Sequence, residues 1–99
     1  MRDPEIMSQV KIILAKISKI APGHAVELRI PPYSAIQCVE GPKHTRGTPP
    51  SGVEMSAEVL FDISEGKINW TSAISDGRIS ASGERSDLSA LFQQLATAE

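Results

Sequence analysis

The sequence predicts an α+β fold: four or five mostly antiparallel strands, with helices packed on one face of the sheet. Three observations predict it. Apolar residues recur with a helical period up to residue 20 and with a period of two from residue 24. Residues 56–66, SAEVLFDISEG, and 68–77, INWTSAISDG, are short amphipathic stretches, each closed by a glycine. The second runs straight into a strand-like RISASG at 78–83, and an apolar helical stripe follows.

The first helix has a clear start. Asp3 suits the N-cap, Pro4 the first helical position and Glu5 the first turn. Ile6, Val10, Ile13, Ile17 and Ile20 step by four and three and make one apolar stripe, which Met7 and Leu14 widen. Lys11, Lys16 and Lys19 lie off the stripe and read as a solvated face. Ala21-Pro22-Gly23 stops the helix.

In HAVELRI, residues 24–30, Val26, Leu28 and Ile30 share one face while Glu27 and Arg29 share the other. Pro31-Pro32-Tyr33 breaks this strand, and SAIQCV at 34–39 resumes alternation. Turning Ile36 and Cys38 inward leaves Gln37 in water, so that parity is favoured, and the two runs are read as antiparallel neighbours. Residues 40–52, EGPKHTRGTPPSG, are read as one irregular stretch of a length that usually has a use. Val53-Glu54-Met55 is a short strand leading to Ser56, the N-cap of a helix at about 57–65. Val59, Leu60 and Ile63 form its apolar face. Trp70, Ala73 and Ile74 face one way on the next short helix, and Ile79 and Ala81 point inward from the last strand. Ser86-Asp87 opens the closing helix, whose stripe is Leu88, Leu91, Phe92 and Leu95.

Ninety-nine residues suit one domain, here residues 1–99. A chain of this size buries about 65% of its unfolded surface, enough for one sheet under helices but not for a large enclosed cavity besides. The net charge of −2, with mixed signs, leaves no nucleic-acid footprint. No segment reaches the roughly 18 apolar residues of a spanning helix, so stable membrane insertion is not expected. The N-terminus has no apolar stretch of signal-peptide length, and Cys38 is the one cysteine, which excludes an intramolecular disulfide. The expected product is a small soluble cytoplasmic protein.

The stretch from Ser56 to Leu91 carries L-x-x-I-x-x-G-K-I, then A-I-x-x-G-R-I-x-A-S-G, then D-L-x-x-L. It resembles the second half of the sterol-carrier-protein domain. HAVELRIPPY followed by GPKHTRGTPP resembles the small stand-alone bacterial branch of that family. The resemblance covers nearly the whole chain. It implies a sterol-carrier-like fold, in which a twisted sheet and its helices enclose an apolar tunnel for sterols, fatty acids or acyl chains. The chain departs from the pattern in having the Pro-rich segment 41–52 at one strand position and no peroxisomal tail.

The expected function is therefore a lipid or apolar-ligand carrier module, not catalytic on its own. Its ligand is a lipid, a fatty acid or another apolar small molecule, with no cofactor. The expected apolar lining is Leu28, Ile36, Met55, Trp70, Ile74, Leu88 and Leu91, although each of these residue types is more often ordinary core. Lys43, His44 and Arg46 form the sharpest polar cluster and are the candidate head-group contacts, since guanidinium and imidazole donors, with the Thr45 and Thr48 hydroxyls beside them, can hold carboxylate or phosphate. The alternative for that cluster is a solvated loop. No metal site is expected: His24 and His44 have no ligand spacing between them. No catalytic residue is expected either, since Cys38 sits mid-strand with no nucleophile motif around it. A second reading stays open, a fully packed interaction or regulatory domain with a protein partner and no lipid. A third, an enzyme using His44 and Arg46, comes with no recognisable reaction.

Overall fold

The structure is a computed structural model that describes residues 3–41 and 51–97. Its first helix, α1, spans Pro4–Ile20. The Asp3 carboxylate accepts the Glu5 and Ile6 N–H groups at 2.9 and 3.4 Å and so satisfies two donors that the first turn leaves without partners. Val10, Leu14 and Ile17 are its buried residues, whereas Ile6, Ile13 and Ile20 pack against the core only partly. The stripe is thus centred on Leu14, one of the two residues that flank it in the sequence.

The strands are β1 (Val26–Ile30), β2 (Ser34–Cys38), β3 (Ser51–Met55) and β4 (Ile79–Ser82), in the sheet order β2-β1-β3-β4. The β1–β2 and β3–β4 pairs are antiparallel, and β1–β3 is parallel. Val26 faces Cys38 on one side and Ser51 on the other, so the end of β2 and the start of β3 flank the start of β1.

The period-2 pattern sorts the two faces as expected. Val26, Leu28 and Ile30, with Cys38, Val53, Met55 and Ile79, are buried on the inner face. Glu27, Arg29, Gln37 and Glu54 occupy the outer face, where Arg29 donates from Nε and Nη2 to Glu54 at 3.0 and 2.8 Å and from Nη1 to Glu27 at 3.3 Å. These exposed pairs contribute little to stability. Two details differ from the sequence reading. β3 begins at Ser51 and not at Val53: Ser51 is buried, and its Oγ accepts the Arg85 N–H at 3.1 Å. Ala81 has inner-face register opposite Val53 but is exposed, because β4 lies at the sheet edge.

The remaining helices are α2 (Ala57–Ser64), α3 (Trp70–Ser75) and α4 (Ser89–Thr97). Helix α1 packs over β2 and also meets α2 and α4; α2 and α4 pack on each other, and α3 sits beside β4. The helices thus cover one face of the sheet and leave the polar face to water. Ser56 Oγ caps α2 through the Val59 N–H at 3.2 Å. Leu88, Leu91, Phe92 and Leu95 are all buried, as their spacing predicts.

Candidate functional site

A cleft of about 480 Å³ opens where α2, α3 and α4 meet. Ile63 of α2 lines it, the 66–69 connection forms one lip, and Trp70 and Thr71 follow at the start of α3. Ser89, Phe92, Gln93 and Ala96 form the opposite wall. Their spacing of three, four and seven residues places them on one face of α4, so a single helical surface supplies both the apolar wall and the polar rim.

The lip is built by a helix stop. Gly66 has φ +78°, its N–H donates to the Ile63 carbonyl at 3.3 Å, and the Lys67 N–H donates to the Asp62 carbonyl at 2.8 Å. Glycine takes this left-handed conformation without the side-chain clash that other residues suffer. Asn69 then starts α3, accepting the Ser72 N–H at 3.2 Å. Two helix ends four residues apart hold the lip open beside α4. A Cβ at Gly66 would come within 3.6 Å of the Ala96 methyl, so the two walls approach closely at that end.

Trp70 and Phe92 face each other with ring centroids 6.0 Å apart and planes inclined by 21°. Such a stacked pair contributes about 0.5–1.5 kcal/mol beyond its burial. Phe92 is buried, while Trp70 is half-buried and gives the cleft a polarisable flank. Lys67 is the one charged residue among the described residues of the lining. Its Nζ lies 3.0 Å from Glu65, whose carboxylate raises the Lys67 pKa by hydrogen bonding and by its charge.

The residues expected to line a site are placed as follows. Trp70 lines this cleft. Leu28, Leu88 and Leu91 are in the buried core, and Ile36 packs partly against it. Met55 is buried and also borders a shallower groove of about 280 Å³ with Pro31, Glu54, Ser56, Gly77, Arg78 and Ser80. Ile74 is 37% exposed on α3. Lys43, His44 and Arg46 lie outside the described residues. Ile68, Ala96 and Lys67 line the cleft but are not singled out by the sequence reading; the signals present were the G-K-I tripeptide and the 89-92-93-96 face of α4.

Elsewhere the chemistry is quiet. Cys38 is fully buried, and burial pushes its thiol up to about 11, which keeps it protonated and unreactive near neutrality. His24 Nδ1 lies 2.8 Å from Gln37 Oε1. Among the described residues no three His, Cys, Asp or Glu side chains converge to hold a metal ion, and no helix is long and apolar enough to cross a membrane.

Residues 2–93 match the family model described as "bacterial SCP ortholog". The chain belongs to that family. Among solved structures, the chain is similar in fold to a sterol carrier protein domain 2 of Helicoverpa armigera, with a TM-score of 0.59 at 17% identity over 99% of this chain and 95% of that one. A UbiJ-SCP2 ubiquinone synthesis protein gives 0.54 at 13% identity over 97% and 93%. Sterol Carrier Protein 2 Like 2 of Aedes aegypti gives 0.54 at 15% identity over 89% and 97%. At these identities the likeness is one of fold. Comparison with curated proteins gives no significant match.

Proposed function

We propose that this member of the bacterial SCP ortholog family is a carrier-type module for a lipid or other largely apolar small molecule, which it binds without transforming. The observation that carries this reading is the cleft itself. Ile63, Ile68, Trp70, Phe92 and Ala96 give it apolar walls, and Asn69, Thr71, Ser89 and Gln93 give it a polar rim. Its volume falls within the roughly 300–1,000 Å³ usual for small-molecule sites. Apolar walls with a polar rim suit a ligand that has a long apolar body and one polar end.

Two further points support the reading. Two of the structural neighbours are named as sterol carrier proteins and the third as a ubiquinone synthesis protein. Sterols and ubiquinone differ in their polar ends but share an apolar body. Among the described residues the cleft lining contains no carboxylate, imidazole or thiol, the groups that most often move protons or attack substrates. Binding would draw on about 0.8 kcal/mol per methylene taken from water. The Lys43–His44–Arg46 cluster is proposed as a further contact for the polar end.

The test is native mass spectrometry of protein purified from its own host without detergent, paired with solvent extraction. A discrete adduct whose mass matches an extracted lipid, lost in Trp70→Ala, is the expected result. A bare mass together with a stoichiometric protein partner would instead favour a packed interaction domain.

A further inference from the structure

We infer that Lys67 selects among apolar ligands for those with an anionic head group, such as a carboxylate or phosphate, over neutral ones of the same chain length. The inference rests on the carrier reading and adds the chemical class of the ligand's polar end. Among the described residues the cleft offers four neutral rim side chains and one charged residue, Lys67, which is a cation. A neutral head can be satisfied by Asn69, Thr71, Ser89 or Gln93, but an anion at the same mouth has Lys67 on the lip within reach and, among the described lining residues, no carboxylate. A carboxylate or phosphate that receives a charge-assisted hydrogen bond there is held about twice as strongly as by a neutral donor.

The present partner of Lys67 does not stand in the way. Glu65 sits 3.0 Å from Nζ, but both side chains are more than half exposed, at 67% and 58%, and Glu65 does not line the cleft. Exposed pairs of this kind are readily exchanged. Asp62 is the other carboxylate whose charge reaches Lys67, and it too lies outside the lining. Backbone geometry fixes where the lysine starts: its N–H is bonded to the Asp62 carbonyl in the helix stop, so the side chain leaves from the lip and not from a free-moving turn. An anionic head would take the place of the Glu65 carboxylate, with the chain lying along Ile68, Trp70 and Phe92.

The test uses matched ligands and four proteins. Dodecanoate and 1-dodecanol are titrated below their aggregation limits into the full chain, and emission from Trp70, the one tryptophan, is recorded. The same series is run on Lys67→Met, Lys67→Arg and Glu65→Gln. The wild type is expected to favour the carboxylate about tenfold, a step of about 1.4 kcal/mol. Lys67→Met should bring the two ligands within about twofold, Lys67→Arg should keep the preference, and Glu65→Gln should widen it, with all preferences shrinking in high salt. Equal binding of acid and alcohol by the wild type, or a preference that survives in Lys67→Met, overturns the role of Lys67 while leaving the carrier reading standing. Binding of neither ligand, nor of any extracted lipid, overturns both.

Discussion

Filling the cleft from its far wall separates ligand binding from folding. Ala96 is half-buried on the last turn of α4, and its methyl faces Gly66 across the narrow end of the cleft. Ala96→Phe would place a ring in that space. The change keeps a helix-compatible residue, at a propensity cost of about 0.5 kcal/mol. A ring that displaces about four methylene-sized groups of ligand, at about 0.8 kcal/mol each, weakens binding by about 3 kcal/mol. That is a rise in Kd of about 150-fold. The assay is a Trp70 emission titration with dodecanoate, beside circular dichroism and a thermal melt to confirm that the variant folds. Ala96→Ser is the control and should bind within about threefold of the wild type. A folded Ala96→Phe protein with unchanged affinity refutes the placement of the ligand in this cleft.

Three further predictions test the framework around the site. Gly23 has φ +145°, and a Cβ there would run into the Val39 carbonyl and lie 2.6 Å from the Glu40 nitrogen. Val39 ties the end of α1 to the sheet, donating to Ala21 at 2.8 Å and accepting from Ala25 at 3.0 Å. Gly23→Ala should therefore cost about 3 kcal/mol in strain and disturbed hydrogen bonds and lower Tm by more than about 10 °C; a shift under about 3 °C contradicts this packing. Cys38, with its thiol pushed up to about 11 by burial, should resist a thiol reagent at pH 8 in the native protein and react at once in denaturant. Fast labelling of the folded chain would place Cys38 elsewhere. Asp87 accepts the Ser89 N–H at 2.9 Å at the start of α4, and this bond lowers its pKa below the ordinary carboxylate value. Because the folded value is the lower one, the bond stabilises the fold above the unfolded pKa of about 3.9 and is lost as pH falls through the folded pKa. Asp87→Ala should lower Tm at pH 7 but converge on the wild type in strong acid; a Tm difference that persists there would assign the effect to something other than the carboxylate.

Much of the fold is legible in the residue pattern because faces are written locally. The alternation in 24–30 and 34–39 placed Leu28 and Cys38 inside and Arg29 and Gln37 outside, and the structure agrees. The caps at Asp3 and Ser56 followed from the need of first-turn N–H groups for an acceptor. Neighbours are not written locally. A period of two says which face Val53 presents, but not that β3 lies parallel to β1, since that pairing depends on where the hairpin β1–β2 leaves an open edge. The strand start at Ser51 is not legible locally because serine and glycine favour turns; pairing with β1 and β4, together with the Ser51 bond to the Arg85 backbone, draws them into the sheet.

The candidate site was less legible than the fold for a related reason. A stripe such as Leu88, Leu91, Phe92 and Leu95 identifies an apolar face, but not which members meet packed neighbours and which border a cleft. Leu88 and Leu91 meet the core, whereas Phe92 does both, packing inward and stacking on Trp70. Ile74 lies four residues after Trp70 on the six-residue α3, yet it is 37% exposed, whereas Ala73 is fully buried. The cleft owes its existence to the Gly66 stop and the position of α4, features that no single segment encodes. Lys67 was hidden for the same reason: beside a glycine in a connection it reads as a solvated charge until α4 is placed opposite.

The most direct test of the account is a co-crystal with dodecanoate brominated at its terminal carbon, measured at the bromine absorption edge. The account predicts an anomalous peak within the cleft, among Ile63, Ile68 and Phe92, with the carboxylate at Lys67. A peak anywhere else on the molecule, or crystals grown with saturating ligand that show no peak at all, would contradict it.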